Sequence, residues 1–199
     1  MSGKRIVTKK SKRDELVEVA QKLFYQHGFR VTGIDTILAQ SGVAKRTLYN
    51  HFKSKDELII AALNKRDEEF MAMIKALVDK YEKVQRGKPA YARILAYFDA
   101  LSEWFNSEKF NGCMFINASA EYPRKTDPIH VVCANHKRFI LQYITELISG
   151  IECRHPEEVA CQLSLLSDGA IVSAHTANLA NAAEMAKKTA VIILDAYQD

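Results

Sequence analysis

Three of the four prolines, Pro89, Pro128 and Pro156, stand where a helix can begin, and this punctuation restricts the folds open to the chain. Proline is favoured at the first helical position, where the N–H it lacks would have no intrahelical partner. Asp127 is placed to cap the helix that Pro128 opens. Glu157 and Glu158 follow Pro156 in the turn where the helix dipole favours negative charge. Ser11-x-x-Asp14, Thr32-x-x-Asp35, Ser54-x-x-Glu57 and Asn181-x-x-Glu184 have the form of capping boxes or their near relatives. Gly28, Gly42, Gly87 and Gly150 mark stops. Between these signals apolar residues recur at spacings of three and four, and the period-two alternation of strands is almost absent. The expected fold is all-α, with about nine helices at 11–27, 33–40, 44–51, 54–85, 89–107, 111–121, 128–149, 156–177 and 181–197. A boundary is expected near Phe52, dividing a small three-helix domain, 1–53, from a helical bundle, 54–199.

Charge is distributed unevenly across that boundary. Residues 1–55 hold 12 Lys+Arg against 4 Asp+Glu, a net +8, and the remainder holds 16 against 20, a net −4. A basic quarter on an acidic body is the footprint of a protein that meets phosphate at one end. No apolar run approaches the roughly 20 residues that span a bilayer. The basic start is not followed by the apolar stretch of a secretory signal. Cys113, Cys133, Cys153 and Cys161 form no C-x-x-C pair, and a chain of 199 residues needs no disulfide staples. They read as thiols of a cytoplasmic protein. No cofactor is implied, and neither is a metal, since no paired Cys/His spacing is present. G-x-S-x-G, H-E-x-x-H and phosphate-cradling glycine loops are also missing, which weighs against a small helical enzyme.

The informative stretch runs from Val31 to Leu58. Thr32 is read as the cap of a short helix that turns Ile34, Ile37 and Leu38 inward, with Ala39 small enough to admit the next helix closely. Ser41-Gly42-Val43 is the turn, where Gly42 can take a left-handed conformation and Val43 can plug the core. The next helix sends Leu48 and Phe52 inward and presents Lys45, Arg46, Thr47, Tyr49, Asn50 and His51 outward. An apolar inner stripe beneath a face of hydrogen-bonding groups suits the major groove of double-stranded DNA.

At these residues the sequence resembles the tetracycline-repressor (TetR) family. Thr32, Ile37, Ala39, Gly42-Val43, Thr47-Leu48-Tyr49, His51-Phe52-Lys53-Ser54-Lys55 and Glu57-Leu58 follow the family signature nearly position for position. Ala20, Leu23-Phe24 and Gly28-Phe29 agree with it in the first helix. The resemblance covers roughly residues 11–60 and rests beyond that on length and helix order. It implies that Tyr49, His51, Lys55 and Thr32 contact backbone phosphates, and that Lys45, Arg46, Thr47 and Asn50 face base edges. Arg46 suits guanine and Asn50 suits adenine. Ala44 departs from the family, which usually has a capping serine there. Arg46 departs too, since a small residue is often found at its position. The first ten residues, with Lys4, Arg5, Lys9 and Lys10, are either a disordered solubilising tail or an arm that follows phosphates or a minor groove.

The larger domain carries polar groups on apolar stripes. Tyr97 and Trp104 lie beside the core stripe Ile94, Phe98, Leu101 and Phe105. Asn117 and Glu121 share a face of the mostly apolar segment that begins near Cys113. His136 and Tyr143 interrupt the run Ile129, Cys133, Ile140 and Leu147. Aromatic walls with a few convergent polar groups are the usual form of a small-molecule site. Phe70, Ile74, Tyr97, Leu101, Trp104, Cys113, Asn117, Glu121, His136 and Tyr143 are the expected effector contacts, with Leu77 on the same stripe as Phe70 and Ile74. Each has a plainer alternative as an ordinary core residue. The effector is a small molecule that sequence does not identify, and redox sensing through Cys113, whose thiol opens a helix, is an alternative. So is DNA binding with no small ligand. The resemblance further implies a homodimer through the last two helices, with Leu163, Leu166, Ala170, Ala174, Met185, Thr189, Ile192 and Ile193 at the interface. Two-fold symmetry and a pseudo-palindromic operator fit a short recognition helix that alone reads few bases. Most simply, the chain is a repressor released from its operator by a small molecule.

Overall fold

The computed structural model describes residues 10–198, so Lys4, Arg5 and Lys9 of the basic tail lie outside the described residues. Those described form α1 (Lys12–His27), α2 (Ile34–Ser41), α3 (Lys45–His51), α4 (Lys55–Glu82), a 3-10 turn (Pro89–Tyr91), α5 (Ala92–Phe105), α6 (Met114–Glu121), α7 (Pro128–Ile148), α8 (Pro156–Thr176) and α9 (Ala182–Ala196). No strand occurs among them. The chain separates into two compact units, Met1–Arg66 and Asp67–Asp199, and the division falls within α4.

The helix ends follow local chemistry. The Ser11 hydroxyl accepts from the Asp14 amide at 3.1 Å, and Ser54 accepts from the Glu57 amide at 3.2 Å. The Glu57 carboxylate accepts in turn from the Lys53 amide at 2.7 Å. Asp127 accepts from the Ile129 amide at 2.9 Å and so caps α7 ahead of Pro128. These bonds satisfy amides that no helical carbonyl can reach.

Two of the expected caps are corrected. Gly33, not Thr32, is the residue before α2, and it supplies no side-chain cap. Asn181 precedes α9 without a cap bond, because its ψ of 17° is not the extended geometry that aims a side chain at the first amides. Pro89 opens a 3-10 turn, so α5 begins at Ala92. The sixth helix begins at Met114 and not at Asn111, since Gly112 takes a φ of 74°. A Cβ on Gly112 would lie 2.8 Å from the His175 ring, so no other residue fits there without displacement.

In the first unit α1 packs against both α2 and α3. Leu16, Leu23, Phe24, Phe29, Ile37, Leu48, Phe52 and Leu58 form its core, and the rings of Phe24 and Phe29 stack with centroids 5.3 Å apart. Burial of each such side chain contributes about 1.5–3 kcal/mol. Ile34 and Leu38, expected inside, are only half-buried, and Ala39 is exposed rather than at a helix contact. Ile37 is therefore the principal anchor of α2.

In the second unit α5 is central and packs against α7, α8 and α9. Ile94, Leu95, Ala96, Tyr97, Phe98, Ala100, Leu101 and Trp104 are buried around its circumference, as an apolar helix requires. Phe105 is only half-buried. On α4 the buried row is Phe70, Ile74 and Val78, spaced by four, and Leu77 lies beside it half-buried.

Candidate functional site

The short helix α3 presents two different faces. Leu48 is fully buried and Phe52, just past its end, is 3% exposed. Lys45, Arg46, Tyr49, Asn50 and His51 are exposed, and Thr47 is half-buried. Ahead of α3, Gly42 has φ 64° and ψ 12°, the left-handed conformation the turn needs, and Val43 is buried. Ala44 occupies the position before α3 in an extended conformation with no side-chain cap, so the departure at this residue leaves α3 uncapped. Lys45 Nζ lies 3.3 Å from the Asp35 carboxylate on α2. Lys55 Nζ, at the start of α4, donates to the Arg30 carbonyl at 3.1 Å. Thr32 is 4% exposed, and its hydroxyl donates to the Gly28 carbonyl at 2.7 Å. Its hydroxyl therefore ties the α1–α2 connection together and does not cap α2.

In the second unit the structure brings several expected contact residues together. The Phe70 ring meets Trp104 at a centroid distance of 4.9 Å and His136 at 5.8 Å, edge to face in both cases. Phe115 stacks on His136 at 3.6 Å with the rings 9° from parallel. His136 Nδ1 lies 2.6 Å from the Asp67 carboxylate. Burial opposes the His136 cation, but the hydrogen bonds to Asp67 and Cys113 outweigh it and hold this imidazole above its ordinary value. Tyr97 donates to the Ser167 hydroxyl at 3.4 Å and meets the Tyr143 ring at 6.4 Å. The Tyr143 hydroxyl is buried with no partner in hydrogen-bond geometry among the described residues, and burial pushes it up to about 12. Leu101 and Ile74 are fully buried. Asn117 is half-buried and donates to the Asn111 carbonyl at 3.2 Å, and Glu121 is also half-buried.

An open cavity of about 860 Å³ lies elsewhere on this unit, lined by Tyr81, Gln85, Asp99, Glu103 and Lys187 among others. Its polar groups already pair with one another: Lys187 meets Asp99 at 2.6 Å, and Tyr81 donates to Glu103. None of the effector contacts expected from sequence lines it.

The outer surface of α8 and α9 differs in part from expectation. Leu163 and Ala170 are buried within the chain, and Leu166 and Ala174 are half-buried. The exposed apolar residues of α8 are Leu165, at 73%, and Val172, at 40%. Met185 and Ile192 on α9 are exposed as expected, with Thr189 between them and Ile193 half-buried.

Residues 16–62 match the model of bacterial regulatory proteins of the tetR family. Over this segment the chain has the DNA-binding region of that family. A solved TetR-family transcriptional regulator from Streptomyces coelicolor, SCO4454, is 29% identical, covers 96% of this chain and 92% of its own, and superposes with a TM-score of 0.82. The HTH-type transcriptional regulator YjdC of Escherichia coli (strain K12) is 24% identical over 80% of this chain and 81% of its own. The HTH-type transcriptional repressor ComR of the same organism is 31% identical over 53% of this chain and 48% of its own. The matched segment contains α2 and α3, the helix-turn-helix of a DNA-binding transcriptional regulator.

Sequence reasoning missed three residues that the geometry brings forward. Asp67 lies three residues before Phe70 and seven before Ile74, on the same face of α4, and that spacing was the available signal. Leu165 and Val172 were missed because α8 is apolar on more than one face, so periodicity alone does not say which face is inner.

Proposed function

We propose that this TetR-family regulator is a repressor that binds a pseudo-palindromic operator as a homodimer and is released by a small molecule taken up in its second unit. The observation that carries this reading is α3, with its exposed face of Lys45, Arg46, Tyr49, Asn50 and His51 fixed by the buried Leu48 and Phe52. Tyr49, His51 and Lys55 are assigned to phosphates, and Lys45, Arg46, Thr47 and Asn50 to bases. Thr32 holds the connection that positions α2 beside a phosphate. The functional division is set at residues 53 and 54, so that α4 begins in the body of the sensor.

The effector contacts are assigned to the aromatic cluster around His136, with Tyr97, Tyr143, Asn117 and Glu121 as polar partners. The buried Tyr143 hydroxyl supports this choice, because such a group ordinarily finds a hydrogen-bond partner. One helix, α4, carries both Lys55 and the Phe70–Ile74 segment. An effector that favours one position of that segment shifts Lys55 with it and changes the separation of two recognition helices, which must match grooves about 34 Å apart. The chain is placed in the cytoplasm, and no described helix is long and apolar enough to cross a membrane.

Selection from random duplex DNA tests the proposal. The expected product is an inverted repeat, footprinted on both halves; a pool with no enriched sequence would overturn it. Trp104→Ala and Glu121→Ala test the effector site: response to the effector is lost while apo operator affinity stays within a few-fold of wild type. Loss of melting temperature and DNA binding together would make these two residues core only.

A further inference from the structure

Between Glu18 and Asp56 the sequence holds six lysines and arginines and a single carboxylate, Asp35. The other acids of the first unit stand on α1 or in the first turn of α4. Asp35 is the second residue of α2, and its side chain is 86% exposed. Its carboxylate receives Lys45 Nζ at 3.3 Å, and Lys45 is the first residue of α3 and itself 61% exposed. The one acid of the helix-turn-helix is therefore paired with the residue that begins the outward face of α3.

Folding alone gives this pair a small role. An ion pair so exposed adds little to stability, because water screens it and two side chains must be held in place. Asp35 also sits in the first turn of α2, where the helix dipole favours its charge, but that role needs no partner on α3. On a surface that approaches a polyanion the pair has a larger consequence. A lysine is a compact charge on a flexible stem, and phosphates lie along every sequence. A lysine that settles on phosphate strengthens binding to all DNA alike and carries no sequence information. Asp35 gives Lys45 a carboxylate in place of that phosphate. The ammonium group keeps two further N–H donors, which acceptors on the base edges of the major groove can take. Asp35 also sets a negative charge against any phosphate that comes near it.

We infer that Asp35 is a specificity-determining residue, which holds Lys45 off the phosphate backbone so that Lys45 adds to operator recognition and not to indiscriminate affinity for DNA. The inference rests on the assignment of α3 to the major groove. It gives the acid a function that a uniformly basic reading surface would lack, since each added cation there strengthens wrong sequences as much as the right one.

The test is the salt dependence of binding by the full chain to a random duplex. Each side chain that neutralises a phosphate steepens the slope of log affinity against log salt by about one. Lys45→Ala should leave the wild-type slope unchanged, because Lys45 displaces no counterion there. Asp35→Asn should steepen the slope by about one per bound chain, and Lys45→Ala added to Asp35→Asn should return it to the wild-type value. On the DNA obtained by selection, Asp35→Asn should lower the ratio of operator to random affinity about fivefold or more, with a melting temperature near that of wild type. A slope that falls by about one per chain in Lys45→Ala alone would put Lys45 on a phosphate and overturn the inference, and that measurement needs no variant at Asp35. An Asp35→Asn slope equal to that of wild type would overturn it as well. A double variant as steep as Asp35→Asn would show that Asp35 acts through its own charge alone, and the coupling to Lys45 would fall. Selection of an inverted repeat beside unchanged slopes overturns this inference and leaves the operator reading standing. A selection with no enriched sequence overturns the operator reading, while the random-duplex slopes still decide whether Asp35 holds Lys45.

Discussion

Nδ1 of His136 lies 2.6 Å from the carboxylate of Asp67, so α7 and α4 are joined by a charged hydrogen bond inside an otherwise aromatic cluster. The imidazole is 3% exposed, so water does little to screen the pair. Burial without such a partner would favour neutral imidazole.

The pH dependence of stability follows from this pair. The folded value of His136 is raised above its ordinary 6.5, so the folded protein holds this proton more tightly than the unfolded chain does. The stabilisation is fully present below 6.5 and is lost as pH rises through the raised folded value. Denaturant melts across this window should show stability falling with pH in the wild type. In Asp67→Asn the fall should be lost or reversed, because burial alone then acts on the imidazole. A variant that kept the same slope would show that the pair does not control it.

Ala44→Ser should stabilise the first unit by about 0.5–2 kcal/mol, since the extended backbone before α3 suits a capping hydroxyl and none is present. Thermal or denaturant melts check this. No gain would mean that the first amides of α3 already have partners of equal strength.

Base readers and phosphate contacts should separate in binding assays. Arg46→Ala and Asn50→Ala should each relax discrimination at one base pair by about 1–3 kcal/mol, while Tyr49→Phe and Lys55→Ala weaken operator and random DNA by similar factors. A base-substitution series on the selected operator measures both. An unaltered preference in Arg46→Ala would remove that residue from the readers.

Leu165→Glu and Ile192→Glu should abolish self-association in sedimentation while leaving helicity and melting behaviour near those of the wild-type monomer, because both side chains are exposed. Ala170→Glu should instead unfold the second unit, as Ala170 is buried within the chain and a lone carboxylate there has no water. If Leu165→Glu left a dimer intact, the association face would lie elsewhere.

The sequence by itself determined the helices and the DNA-reading face, because both depend on neighbours along the chain. Proline and aspartate set the start of α7, Gly42 set the turn, and Leu48 and Phe52, one turn apart, set which side of α3 faces outward. Tertiary structure decided what periodicity leaves degenerate. Thr32 had the sequence form of a cap, but its hydroxyl turned to the Gly28 carbonyl because the cap position fell to Gly33. On α8, apolar residues occur on both inner and outer sides, and only packing against α7 and α9 placed Leu163 and Ala170 inside and Leu165 and Val172 outside. The partner of His136 was least visible in sequence. His136 and Asp67 stand on two different helices, and a hydrogen bond between groups sixty-nine residues apart is set by how those helices pack, which no local pattern encodes.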